Sequence, residues 1–233
     1  MTTIPQQLPR HLGIILDGNR RWAKDKGLST LEGHQAGSDT LKNITQAAFE
    51  RGIAYVSAYA FSTENWSRNQ EEVSYLMNLT FKFATKEVHQ LMENNVRVVV
   101  LGSEDKIQAK LLKSLKKLEA ESKNNTGGTL ALCFNYGGYQ EITDAVKKVV
   151  KSGKKADQIT EEDIAANLYH PEVPPIDFMI RTSGEMRLSN FMLWRMAYAE
   201  LYFTDKHWPD FDTIELDKAL AEYAKRNRRF GGN

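Results

Sequence analysis

Four polar stretches hold most of the side chains in this chain that could do chemistry. The first, Asp17-Gly18-Asn19-Arg20-Arg21-Trp22, follows directly on the apolar run Leu12 to Leu16. The others are Ser62 to Arg68, Asn135-Tyr136-Gly137-Gly138, and Arg181 to Asn190. Together with His34 they pool Asp17, Asn19, Arg20, Arg21, Ser62, Asn65, Arg68, Arg181, Arg187 and Ser189. Arginine dominates this set, and its planar fork matches phosphate oxygens. Gly18 allows a ligand close to the backbone, and N–H groups at a following helix start attract an anion. An acid among arginines points to a phosphorylated substrate with Mg2+, an ion that keeps waters and takes one or two protein carboxylates. Asp17 is the first metal-ligand candidate. Glu200 is the second, because it follows an apolar segment where a charge needs a partner. Taken singly, each residue has a plainer role: His34 as a cap, Trp22 and Trp66 as packing, Ser62 and Asn65 as turn formers, Arg187 as a surface residue.

These stretches need a scaffold that brings them together. Leu12 to Leu16, Ala54 to Phe61, Val96 to Leu101, Thr129 to Asn135 and Ile176 to Arg181 read as strands. Helical spacing marks 39–51, 71–94, 106–123, 141–150 and 212–228, with Thr160 opening a short helix. The alternation predicts an α/β fold: one domain, with a mainly parallel central sheet of about six strands flanked by helices. In such a sheet the strand ends share one edge, and ligands bind just beyond it. The polar stretches should therefore converge there. Residues 1–10 are expected to form a flexible N-terminal segment, and 11–233 the catalytic domain.

Composition narrows the field. The 233 residues carry a net charge of +1, which gives no case for nucleic-acid binding by bulk charge. The single cysteine, Cys133, rules out an intrachain disulfide and sits in an apolar run, as a buried inert thiol would. No stretch is long and apolar enough to span a bilayer, and Met1 to Arg10 lacks an apolar signal core. The expected location is cytoplasmic, with contact at a membrane surface left open. There is no G-x-x-x-x-G-K-[ST] phosphate loop. Asn19 stands where a dehalogenase-type phosphatase needs a second aspartate, and no D-D-x-x-D metal motif occurs.

The motifs HLGIILDGNRRWA, GHQAG, YAFSTENWSR, FNYGG, IRTSGEMRLSNFMLW and AYAELYFTDKHWPDF resemble those of the cis-prenyltransferases, and most closely the bacterial undecaprenyl diphosphate synthases. The likeness runs from His11 to about Gly231. It implies repeated addition of isopentenyl diphosphate to an allylic diphosphate, usually farnesyl diphosphate, with release of diphosphate. Asp17 would be the essential acid, linked to Mg2+, with Glu200 completing the metal site across a homodimer interface. Gly18, Asn19, Arg20, Arg21, Trp22 and His34 would serve the allylic diphosphate. Arg181, Arg187 and Ser189 would hold isopentenyl diphosphate. Ser62, Thr63, Glu64, Asn65, Trp66 and Arg68 would form a mobile loop that aligns the substrates, with Asn65 in a catalytic role. Arg229 and Gly231 would reach the partner's site. The product tail would need an apolar tunnel between sheet and helices, walled by the helix over 71–94.

Three positions depart from the family's common pattern. Arg20 stands where many bacterial members have glycine, Thr30 where many have arginine, and Arg195 where glutamine is usual. The proton acceptor stays open between bound diphosphate and the neighbourhood of Asn65 and His34. The product would be a polyprenyl diphosphate such as undecaprenyl diphosphate, used for a cell-wall carrier lipid, and its insolubility implies transient membrane contact at the inner face. The alternatives are a short-chain synthase, with Ala60 and Leu130 to Phe134 as tunnel-floor candidates, and a non-catalytic partner subunit. The subunit would lack the Asp-Gly-Asn start.

Overall fold

The structure, a computed structural model, describes residues 7–226. Six strands form one sheet in the order β3-β4-β2-β1-β5-β6. They are β1 (His11–Ile15), β2 (Tyr55–Ser62), β3 (Arg97–Leu101), β4 (Thr129–Tyr136), β5 (Phe178–Arg181) and β6 (Glu200–Phe203). Every neighbouring pair is parallel. β1 is central and buried along its whole length. Its side chains alternate between two cores: Leu12 and Ile14 enter one, Ile15 the other. Burying a side chain of this size stabilises the fold by about 2 kcal/mol.

The helices are α1 (Asn19–Asp25), α2 (Thr30–Glu50), α3 (Gln70–Lys82), α4 (His89–Glu93), α5 (Ala109–Ser122), α6 (Gly138–Lys151), α7 (Glu161–Ala165) and α8 (Thr213–Ala224). Residues of α2, α3, α5 and α8 pack into the core that Leu12 and Ile14 enter. α6 and α7 pack on each other through Ala145, Val149 and Ile164. From β1 the chain leads to β2 on one side, while β5 leads to β6 on the other. The carboxyl ends of β1 and β5 therefore flank the point where the winding direction reverses, the usual ligand crevice of such a sheet.

Two elements differ from the sequence reading. α2 begins at Thr30 rather than near residue 39, started by a capping box of Ser29 and Glu32. Gly33 and Gly37 interrupt the apolar spacing there and hide its first two turns. The helix expected over 71–94 is not continuous. A π-turn at Phe83–Glu87 separates α3 from α4, with the Val88 N–H donating to the Phe83 carbonyl at 3.0 Å. Phe83, Ala84 and Val88 stay buried across it, so the break keeps the apolar face on the core. Such turns recur at functional sites.

His11, the first residue of β1, is fully buried. Its Nδ1–H donates to the Pro174 carbonyl at 2.8 Å, and its Nε2 accepts from the Ser57 hydroxyl at 2.8 Å. Burial pulls its pKa down to about 4. The unfolded chain thus binds a proton near pH 6.5 that the folded chain refuses, so stability rises with pH through this window and falls as pH drops. Denaturant unfolding should show a loss on the order of 2.5 kcal/mol between pH 7 and 4.5 from this group. The slope over that window should flatten in His11→Asn.

Candidate functional site

Asp17 sits just past β1 and is fixed by its backbone. Its carbonyl accepts from the Thr182 hydroxyl at 2.6 Å and from the Trp208 N–H at 3.0 Å. Gly18 then turns the chain at φ 109°, where a Cβ would lie 2.7 Å from Ser183 Oγ and 2.9 Å from His207 Nδ1. Only glycine takes this conformation without strain. The Asp17 carboxylate faces Arg181 at the end of β5, with Arg181 Nη2 donating to Oδ2 at 2.9 Å. Arg181 is 3% exposed. Its Nη1 donates to Ser189 Oγ at 2.9 Å and to the Arg187 carbonyl, and its Nε has no partner among the described residues. A buried guanidinium is retained only where charge and hydrogen bonds offset its desolvation, and Asp17 supplies that charge.

A second acid, Glu185, lies between two arginines. Arg21 approaches it at 3.0 Å, and Arg187 pairs with it from the other side. Arg21 also lies 3.7 Å from Asp17 Oδ1. The loop that carries Arg187 holds Ser183, Ser189, Asn190 and Met192 at positive φ. Clustered left-handed residues mark a strained segment held by its surroundings, a pattern that gathers at functional sites.

α1 approaches α2 closely because of Gly33 and Gly37. A Cβ on Gly33 would stand 2.3 Å from the Asn19 carbonyl oxygen, and one on Gly37 2.4 Å from Asn19 Oδ1. The GHQAG motif is thus a seat for the first residue of α1. Between these glycines His34 points to Glu72 on α3, with Nε2 3.0 Å from Oε1. Glu72 is 4% exposed. It also receives Arg68 at 2.9 Å and lies 3.8 Å from Arg20. Burial drives the His34 imidazole below its ordinary value against the pull of Glu72. Burial pushes the Glu72 carboxyl up, but His34 and the two arginines outweigh it and hold it below the usual range. Neutral His34 therefore meets an ionised Glu72 near pH 7.

His34, Arg68 and Arg20 border one cavity of about 1400 Å³ together with Asp17, Arg181 and Glu185, while the Glu72 that gathers them does not line it. Its charged end carries Asp17, Gly18, Asn19, Arg20, Arg21, His34, Arg68, Arg181, Arg187 and Ser189, and Ser62, Glu64 and Asn65 also line it. Its apolar wall includes Leu41, Ala60, Leu76, Leu79, Phe83 and Leu132. The position of Phe83, 11 residues beyond Glu72, corresponds to about 16 Å of helix rise. The wall expected from the helix over 71–94 is present, supplied by α3 and its π-turn.

Several expected site residues do not border the cavity. The Trp22 indole N–H donates to Asp210 at 2.7 Å, and Lys26 lies over the ring. Thr63 bonds Glu64, and Trp66 donates to Asn135 Oδ1 at 2.7 Å. Glu200 begins β6, where the register sets it beside Phe178, while Arg181 stands beside Phe203 at the other end. It accepts from Arg226 at 2.8 Å, so one chain does not bring Glu200 to Asp17. Among the described residues no cluster of three or more His, Cys, Asp or Glu could hold a metal. Arg229 and Gly231 lie outside the described residues. Of the departures, Thr30 borders the cavity. Arg195 is remote: it pairs with buried Glu141 at 2.7 Å and donates to the Val173, Tyr169 and His170 carbonyls. Sequence reasoning missed Glu72, which no local signal separates from Glu71. It also missed Asn190, whose side chain bonds Glu64 and the Tyr139 N–H.

Residues 15–231 match the family described as "Putative undecaprenyl diphosphate synthase". The chain belongs to this prenyltransferase family. It is 50% identical over 227 residues to the isoprenyl transferase of Fusobacterium nucleatum, with 97% of each chain covered. It is 47% identical over 229 residues to that of Thermotoga maritima, covering 97% of this chain and 98% of the relative. Among solved structures, lavandulyl diphosphate synthase from Lavandula x intermedia, in complex with dimethylallyl diphosphate, superposes with a TM-score of 0.92 at 35% identity, covering 96% of this chain and 98% of that one. A probable undecaprenyl diphosphate synthase from Campylobacter jejuni gives 0.82 at 29% identity, covering 97% and 99%. As a member of this family the chain is a prenyltransferase that works on isoprenoid diphosphates. The single-domain fold with a six-stranded parallel sheet agrees with the sequence expectation.

The glycine seat under Asn19 can be tested on its own. Gly33→Ala should lower the unfolding free energy by about 1–3 kcal/mol through overpacking against α1, measured by denaturant titration, and turnover should fall with it. Unchanged stability would show that α1 is not held there.

Proposed function

We propose that the chain condenses isopentenyl diphosphate repeatedly with an allylic diphosphate, farnesyl diphosphate above all, to make a cis-polyprenyl diphosphate such as undecaprenyl diphosphate. The observation that carries this reading is the pairing of Asp17 with buried Arg181 at the charged end of a long cavity with an apolar wall. Two cationic groups flank Asp17, which suits two diphosphates. Arg20, Arg21 and the first amides of α1 would take the allylic diphosphate. Arg181, Arg187 and Ser189 would take that of isopentenyl. A relative of the same fold in complex with dimethylallyl diphosphate supports an allylic diphosphate as ligand.

In the reaction the allylic C–O bond breaks, a C–C bond forms to the isopentenyl double bond, and a proton leaves the new unit. Negative charge grows on the departing diphosphate, where preorganised guanidinium groups and helix amides act most strongly. The apolar wall keeps water from the cation-like carbon. That proton would pass to an oxygen of the bound diphosphate or to the neighbourhood of Asn65 and neutral His34. The donor set also fits Mg2+. Asp17 Oδ2 is taken by Arg181, whereas Oδ1 has only Arg21 at 3.7 Å and the carboxylate is partly open. A single open carboxylate suits an ion that keeps its waters and binds phosphates. Asp17 would hold it, and its contribution would be to neutralise diphosphate charge.

Glu200 could join that site only from a second copy, so the reading includes a homodimer. β6 is an edge strand, and Met186 and Tyr198 are exposed. No helix among the described residues is long and apolar enough to cross a membrane. The polyprenyl product itself would bring the cytoplasmic enzyme to a membrane surface, where the lipid can serve cell-wall synthesis. Small Ala60 on the cavity wall leaves room for a growing tail, which favours the long-chain reading over the short-chain one.

Incubation with farnesyl diphosphate, labelled isopentenyl diphosphate and Mg2+ should give a ladder of elongated products. Asp17→Ala should cut turnover about 10³-fold, the scale of losing a preorganised charged group. Absence of elongation with any allylic primer overturns the reading.

A further inference from the structure

Asn135 is the next-to-last residue of β4 and is held in an unusual way. It is 3% exposed and sits at φ 50°, a left-handed conformation that asparagine tolerates better than most residues. Its side chain uses every hydrogen it has. Nδ2 donates to the carbonyls of Ser103 and Asp105, both at 2.8 Å. Oδ1 accepts the Trp66 indole N–H at 2.7 Å. The orientation of the amide is therefore fixed: flipping it would set donor against donor and acceptor against two carbonyls. Neither Asn135 nor Trp66 borders the cavity, yet Ser62, Asn65 and Arg68, on either side of Trp66, all do. Trp66 also stands edge-on to Phe61, centroids 5.2 Å apart.

We propose that Asn135 is a positioning residue for the transfer reaction: it clasps Trp66 to the β3–α5 turn and so sets Ser62, Asn65 and Arg68 at the cavity wall. The inference rests on the reading of the site given above. Other contacts tie the same loop elsewhere, Glu64 to Asn190 at 2.9 Å and Arg68 to Glu72 at 2.9 Å. Those partners lie on the 183–192 loop and on α3. The Asn135 clasp anchors the loop from behind, through the body of the sheet. Trp66 thus acts through its grip on the scaffold and not by touching substrate. Without the clasp Ser62, Asn65 and Arg68 are no longer held at the wall beforehand, and the substrate must order them on binding, which weakens binding and spares the chemical step once the substrate is bound.

Two variants separate this role from a general loss of structure. Trp66→Phe keeps an aromatic ring beside Phe61 and removes the N–H donor together with the fused five-membered ring. Asn135→Gly removes the acceptor while tolerating the positive φ. Calorimetry should show isopentenyl diphosphate binding weakened about fivefold in each, the scale of one neutral hydrogen bond. KM should rise in step with kcat unchanged, and the two effects should not multiply in the double variant, because both single changes break the Trp66–Asn135 contact. The four tryptophans give four indole N–H signals in a 15N spectrum. The one absent in Trp66→Phe should be the one that shifts in Asn135→Gly. Unchanged binding, effects that multiply in the double variant, or a fall in kcat at constant KM each overturn the proposal. A wild-type protein that binds isopentenyl diphosphate but elongates no primer overturns the proposed function instead, and the binding and spectral results still decide the role of Asn135.

Discussion

The ion pair between Asp17 and Arg181 is the contact on which the site depends. Arg181 lies almost wholly out of water, and a buried guanidinium without a carboxylate would be costly. Asp17 meets that need from the neighbouring strand, so β1 and β5 are bound together just where the winding of the sheet reverses. The same pairing holds the aspartate at the edge of the crevice with one oxygen open. Stability and chemistry thus draw on one geometry. Arg181 in turn bonds Ser189 and the backbone at Arg187, so the strained 183–192 loop is fastened to the same point.

Around this pair the protein builds in layers. Gly18 keeps the backbone turn tight against Ser183 and His207. Gly33 and Gly37 let α1 sink onto α2, which sets the arginines of α1 over the cavity. Glu72 gathers His34, Arg68 and Arg20 from three separate segments at the charged end. Beyond it, α3 and its π-turn present an apolar wall. The arrangement separates a charged end, where diphosphate chemistry needs fixed dipoles, from a dry channel, where an isoprenoid tail needs none.

Much of this was legible in the sequence. Parallel strands deliver their carboxyl ends to one edge, so Asp17, Ser62 and Arg181 could be grouped without coordinates. Arginine-rich strand ends and an acid gave the substrate chemistry, and the family motifs gave the reaction. What was hidden depends on long-range contacts. Trp22 turns from the site because Asp210, far along the chain, holds its indole. Glu72 looks like Glu71 until burial and three partners distinguish it. Asn135 looks like a turn residue until its amide proves fully engaged. Arg195, a departure from the family pattern in the sequence, answers to Glu141 in a separate buried network. The π-turn leaves the apolar spacing intact, so no pattern of residue types reveals it.

The central claim is that two diphosphates lie on opposite sides of Asp17 with the tail along the apolar wall. A crystal structure with Mg2+, isopentenyl diphosphate and a thiolodiphosphate analogue of farnesyl diphosphate tests it most directly. The account predicts the allylic diphosphate on the first turn of α1 with Arg20 and Arg21, the other diphosphate on Arg181, Arg187 and Ser189, and the tail against Leu76, Leu79 and Phe83. Both diphosphates on one side of Asp17, or a tail outside that wall, would contradict it.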